Sequence, residues 1–91
     1  MKVYELEKEY ADGSECSEFE GIFSTLGIAQ REANTISRKE FDIRDKEGNI
    51  LVGVSDLKFE KTEYGYWIAK SKYDIYNYII FEHEVDKYVT V

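Results

Sequence analysis

The sequence predicts an α+β domain in which one α-helix packs on a twisted antiparallel β-sheet of about five to six strands. Three observations predict it. Only residues 25–37 carry apolar side chains at helical spacing. Segments rich in Tyr, Phe, Ile and Val lie on both sides of that stretch, alternate with period two, and are separated by turns containing Gly and Asp. The chain has 91 residues and a mass of 10.7 kDa, which fits a single domain spanning 1–91. Eight Tyr, five Phe and one Trp supply large pieces for its core, which chains that stay disordered lack.

The elements follow in order. Residues 2–10 alternate, with Tyr4, Leu6 and Tyr10 on one face and Glu5, Glu7 and Glu9 on the other, the signature of a strand with one wet side. Ala11-Asp12-Gly13-Ser14 is turn chemistry, because Asp and Gly tolerate the positive φ of a reversal. A second strand over about 18–24 sets Phe19, Gly21 and Phe23 on one side and Ile22 on the other. The two strands form a hairpin with a longish loop. Ser24-Thr25 then offers an N-cap hydroxyl. Leu26, Ala29, Ala33 and Ile36 recur at spacings of three, four and three, one stripe of a helix over about 25–37. Gly27 weakens its first turn by up to ~1 kcal/mol relative to Ala, so the helix relies on docking against the sheet.

After residue 40 the pattern is strand and turn. Phe41 to Arg44 alternates, and Asp45-Lys46-Glu47-Gly48-Asn49 turns the chain. Ile50 to Val54 is a β-branched run suited to burial on both faces. Leu57 to Glu60 alternates, Glu63-Tyr64-Gly65 reverses the chain, and Tyr66 to Lys70 leads to a turn near 71–74. Ile75 to Val85 is the final long strand.

Lys plus Arg is 12 and Asp plus Glu is 19, a net charge of -7. A surface of that sign repels phosphate backbones, so direct nucleic-acid binding is disfavoured. The acid is concentrated. Residues 1–20 carry seven carboxylates against Lys2 and Lys8, a field that attracts a basic partner and speeds its encounter. Cys16 is the single cysteine, and the opening residues run into a strand pattern without an apolar h-region. These features predict a cytoplasmic protein without intramolecular disulfides. Apolar runs of four residues or fewer predict no membrane span.

Chemistry-bearing motifs are missing from the sequence. His83 is the lone histidine, and strand alternation sends Glu82 and Glu84 to the face opposite it, so the three do not converge on a metal. Glu15 and Glu18 flank Cys16 with negative charge, which raises a thiol's pKa and dulls it as a nucleophile. Neither a Gly-x-Ser-x-Gly elbow nor a Gly-rich phosphate loop occurs. The reading is a non-enzyme with no cofactor and no metal.

Tyr64, Tyr66, Trp67, Tyr73, Tyr76 and Tyr78 fall within fifteen positions. Such side chains bury large areas at low rotamer cost and keep a polar handle, which favours them at interfaces. Cross-strand pairs that only stabilise the sheet are the other use of the same residues.

The helix stretch Thr25-Leu26-Gly27-Ile28-Ala29-Gln30-Arg31-Glu32-Ala33 and the sheet stretch Glu63-Tyr64-Gly65-Tyr66-Trp67-Ile68-Ala69-Lys70 together resemble small proteins of phages and other mobile elements, among them anti-CRISPR inhibitors. The opening, Val3-Tyr4-Glu5-Leu6 and then Gly21-Ile22-Phe23-Ser24-Thr25, is similar to small bacterial and phage proteins that begin strand, strand, Ala-rich helix. The resemblance covers about residues 2–35 and 63–70 and transfers no functional residue. It implies a protein that occupies a surface of a larger machine.

The expectation is therefore a small acidic binding protein, phage-encoded and acting in the host cytoplasm. It would block a nucleic-acid-binding surface of a host protein or nucleoprotein complex. Glu5, Glu7, Glu9, Glu15, Glu18 and Glu20 are the candidate acidic contacts, and Tyr66, Trp67, Tyr76 and Tyr78 the aromatic anchors. Two other classes stay open: a structural or regulatory module that pairs as a homodimer, and a small-ligand binder built on tyrosines and paired carboxylates.

Overall fold

A computed structural model describes residues 1–13 and 16–85. In chain order the elements are β1 (Lys2–Tyr10), β2 (Ser17–Phe23), α1 (Leu26–Phe41), β3 (Ile43–Arg44), β4 (Ile50–Val52), β5 (Glu60–Lys61), β6 (Trp67–Lys70) and β7 (Tyr76–Glu84). Five strands form one antiparallel sheet in the order β2-β1-β7-β6-β5, and β3 and β4 pair separately as a small hairpin. The one α-helix among the described residues lies on one face of the larger sheet, and a short 3-10 turn at Lys72–Asp74 precedes β7, giving the α+β class that the sequence predicts.

The two long strands occupy the centre. β1 and β7 pair along their full length, with Leu6 opposite Ile80, Lys8 opposite Tyr78 and Tyr10 opposite Tyr76. Alternation turns this set toward the helix, where Leu6, Tyr78 and Ile80 are 0% exposed. Ala29 and Ala33 of α1 close over them, since small side chains let the helix approach the sheet. Tyr4, Phe23, Leu26, Ile36, Leu57, Phe59, Trp67 and Tyr76 ring this centre. Burial of a Leu or Ile side chain contributes about 1.5–3 kcal/mol, so these few positions dominate the stability of so small a domain.

Helix α1 starts where its cap predicts. The Thr25 hydroxyl accepts the Ile28 N–H at 3.1 Å, satisfying one of the free donors of the first turn. The helix ends at Phe41, four residues beyond the expected Ile36–Ser37 boundary. The extra turn is held from outside. Phe41 packs its ring 6.4 Å from that of Tyr73 and 6.0 Å from that of Tyr76. Arg38 and Lys39 also complement the helix dipole in the last turn.

Two strand expectations are corrected. A bulge interrupts the β1–β2 pairing between Leu6 and Glu7, so Phe19 stands opposite Glu7 and Ile22 opposite Glu5, while Phe23 stands opposite Tyr4. Phe19 thus leaves the side of Phe23 and joins Ile22 on the face away from the helix. Gly21 permits the bulge: its φ is +151°, and a Cβ there would lie 2.9 Å from the Phe23 ring. The Ile50–Val54 run is not buried on both faces. Its strand stops at Val52, and Ile43, Ile50, Leu51 and Val52 are all exposed on the β3–β4 hairpin.

The stretch 53–59 is a strap rather than a strand. Its Val54 N–H donates to Asp42 Oδ1 at 2.9 Å and its Leu57 N–H donates to Asn34 Oδ1 at 2.7 Å, tying it to the helix side of the molecule. Only Glu60 and Lys61 rejoin the sheet, opposite Ile68 and Trp67. No helix among the described residues is long and apolar enough to cross a membrane.

Candidate functional site

One face of the five-stranded sheet carries α1; its opposite face is the candidate site. The register places Val3, Glu5, Glu7 and Glu9 of β1 on that opposite face, beside His83, Phe81, Ile79 and Asn77 of β7. On the other flank of β1 stand Ile22, Phe19 and Ser17 of β2. Ile68 and Lys70 of β6 face Ile79 and Asn77, and alternation sets Tyr66 beside Phe81 at a ring separation of 5.4 Å. A row of three carboxylates therefore runs between two apolar rows. Phe19 and Ile22, 62% and 58% exposed, form one of them; Phe81 and Tyr66 anchor the other.

The electrostatics of the row are unbalanced. Partial burial, together with repulsion from Glu5 and Glu9, raises the pKa of Glu7 above the ordinary carboxylate range. Glu5 accepts a contact from His83 Nε2 at 2.8 Å, and the Phe81 ring lies 6.5 Å from the imidazole. Tyr64, largely exposed, stacks on Tyr66 at 6.4 Å and extends the aromatic flank. The face offers negative charge framed by apolar area.

The predicted acidic contacts divide. Glu5, Glu7 and Glu9 share this face. Glu18 lies opposite Lys8 on the helix side, 3.4 Å from its ammonium group, and accepts the Tyr10 hydroxyl at 3.1 Å. Glu20 falls at the bulge, between the residues paired with Leu6 and Glu7. Glu15 lies outside the described residues.

The aromatic anchors divide as well, and the expectation for Tyr78, which is fully buried, is corrected. Only Tyr66 lies on the open face. Trp67 is half-buried on the helix side, edge-on to Tyr4 at 6.1 Å with Lys61 Nζ 5.1 Å above its ring. Tyr76 packs between Tyr10 at 5.1 Å and Phe41. Tyr78 is fully buried, and burial, then the nearby Glu40 charge, pushes its hydroxyl up to about 12. Tyr78 belongs to the core, and Trp67 and Tyr76 pack half-buried against it, because their side of β6 and β7 faces the helix.

Phe19, Ile22, Phe81 and His83 take their place at the site. Phe81 was legible from alternation, once the Tyr78 face is known to be the core. Phe19 carried no such signal, since a bulge at Gly21 reverses its side.

Beneath the sheet, Lys8 is buried between carboxylates, 2.6 Å from Glu40 and 3.4 Å from Glu18. Burial works against its charge, yet the two carboxylates outweigh that and hold its pKa above the ordinary lysine value. Its ammonium also sits 4.6 Å over the Tyr76 ring. This cluster joins β1, β2 and the end of α1. Among the described residues, no three or more His, Cys, Asp or Glu side chains are grouped to hold a metal ion. Comparison of the chain with family models, with curated proteins and with solved structures finds no match.

Proposed function

We propose that this chain is a non-enzymatic binding protein whose open sheet face docks on a basic surface of a larger protein, of the kind that otherwise holds nucleic acid. The observation that carries the reading is the Glu5-Glu7-Glu9 row set between Phe19 and Ile22 on one flank and Phe81 and Tyr66 on the other. Partial burial, and then the like charges of Glu5 and Glu9, disfavour ionised Glu7, as its raised pKa reflects. A partner's lysines or arginines would relieve that cost, and the flanking rings would exclude water around the ion pairs. Acting in this way on a bacterial defence complex, the protein would be an inhibitor that mimics the charge of nucleic acid.

Self-association through the same face would set glutamate rows against each other. The β2 edge is guarded too, by the bulge at Gly21 and by Glu18 and Glu20. Both features favour a different, basic partner over a second copy.

The test is capture from a bacterial lysate with the wild type and the isosteric E5Q/E7Q/E9Q triple variant, followed by affinity measurements on the captured protein at two salt concentrations. The expected result is a partner released by nucleic acid, with the triple variant losing both affinity and salt dependence. Equal affinity and an equal salt slope for the two forms would overturn the reading.

A further inference from the structure

At the outer edge of β6, between that strand and the strap 53–58, lies a cleft of about 810 Å3. That volume falls within the range of about 300–1,000 Å3 typical of ligand clefts. Its existence has a local cause. β5 pairs with β6 only through Glu60 opposite Ile68 and Lys61 opposite Trp67. Continuing the same register would bring Lys58 directly opposite Lys70, and like charges in that relation destabilise a ladder. The chain instead leaves the sheet at Glu60, and the hydrogen bonds to Asn34 and Asp42 hold it away.

This departure strands a pair of backbone groups. The Ser71 N–H donates to the Tyr76 carbonyl at 2.8 Å, toward β7, whereas the Thr62 N–H reaches the Tyr66 carbonyl at 2.7 Å on the outer side. Alternation along β6 therefore turns the N–H and C=O of Lys70 outward, into the cleft, where neither has a backbone partner among the described residues. Ser37, 2% exposed, is among the lining residues, its Oγ turned to the buried Tyr78 hydroxyl. Lys58, Lys70 and Lys72 line the cleft, and the first two make no ion pair among the described residues. Of its acids, Asp56 is taken by Arg38, leaving Glu60. On a chain of net charge -7 this is a positive island.

We propose that the cleft is a second binding site, which takes a short, extended, acidic peptide segment of another protein as an added strand on β6. A strand residue presents both a C=O and an N–H, the complement of the stranded Lys70 pair; a free anion answers only the N–H. Carboxylates on alternate residues of such a segment would meet Lys58 and Lys70. The site is opposite in charge to the glutamate row and does not depend on it.

The experiment is an NMR titration of the 15N-labelled 91-residue chain with acetyl-Asp-Val-Asp-Val-Asp-amide. Controls are the same peptide with Lys for Asp, the same peptide methylated on its backbone nitrogens, and acetyl-aspartate amide alone. The expected result is saturable binding of the acidic peptide, with shifts centred on the amides of Lys70 and Ser71. K58E/K70E, at two exposed positions, should weaken it at least about tenfold, the effect of losing one charge-assisted contact. E5Q/E7Q/E9Q should leave it unchanged, which separates this proposal from the open-face reading. Equal binding of the lysine peptide, the methylated peptide or acetyl-aspartate amide, or shifts centred away from the β6 edge, would overturn it.

Discussion

At the residue scale, three residues are held under tight local constraint, and each predicts a measurable response. Glu7 holds its proton more tightly in the folded protein than in the unfolded chain, because burial and its neighbours Glu5 and Glu9 disfavour its charge. Its ionised form therefore lowers stability once pH rises above its raised pKa, and that cost vanishes as pH falls below the ordinary value of 4.5. Glu7→Gln should stabilise the fold at pH 7 by about 0.5 kcal/mol, the order of exposed charge interactions, with the gain gone by acid pH. Urea melts at both pH values would show it. Tyr78 buries a hydroxyl whose neighbour, the Ser37 side chain, falls short of a well-formed hydrogen bond. Removing a buried unsatisfied group recovers its desolvation cost, so Tyr78→Phe should leave stability equal or higher by about 1 kcal/mol. Tyr78→Ala should cost about 3–5 kcal/mol, because it empties the centre of the core. Gly21 combines a positive φ with a closely packed neighbour ring, so Gly21→Ala should destabilise by about 1–3 kcal/mol. It should also move the amide resonances of Phe19 and Glu20 as the bulge shifts.

At the element scale, the helix and the strap depend on contacts remote in sequence. Thr25→Ala removes the N-cap and should cost about 1 kcal/mol in a thermal or urea melt. Asn34 acts differently. Half-buried and off the apolar stripe of the helix, it accepts the Leu57 N–H through its Oδ1 and so holds the strap. Asn34→Ala should loosen residues 53–58 and speed hydrogen exchange at Leu57 while leaving the β1–β7 amides protected. The helix stripe was plain from Leu26, Ala29, Ala33 and Ile36. Its last turn was not, because Ser37 gives no apolar signal and Phe41 is held by the rings of Tyr73 and Tyr76. Likewise, Ile50 to Val52 carry the composition of a core strand. Their exposure follows from pairing with β3 alone, outside the main sheet.

At the scale of the whole molecule, the sheet has one face covered by the helix, one open face and one edge lined by lysines. The proposed docking face predicts that Phe19→Ser and Ile22→Ser, separately, change folding stability by less than about 0.5 kcal/mol, as exposed substitutions do. Each should weaken partner binding by tenfold or more if those rings lie inside the contact. A melt and a binding isotherm on the same preparation check both halves. Clustering the acid in the first twenty residues was visible without a structure, but its division was not. Glu5, Glu7 and Glu9 turn outward together, whereas Glu18 crosses to the helix side to serve Lys8.

Period and composition alone determined that this chain forms one helix against an antiparallel sheet, that β1 is wet on its Glu side, and that Thr25 opens the helix. Those properties are local, set by side-chain spacing and backbone preference within a few residues. Only the tertiary structure decided which tyrosines are core, which side of the sheet Phe19 joins, and why β5 parts from β6. Each of those depends on partners far along the chain: the helix that covers one face, the bulge that reverses another strand, and the Asn34 and Asp42 side chains that hold the strap. Alternation divides the residues of a strand into two sets, but the choice of the buried set belongs to whatever packs against it.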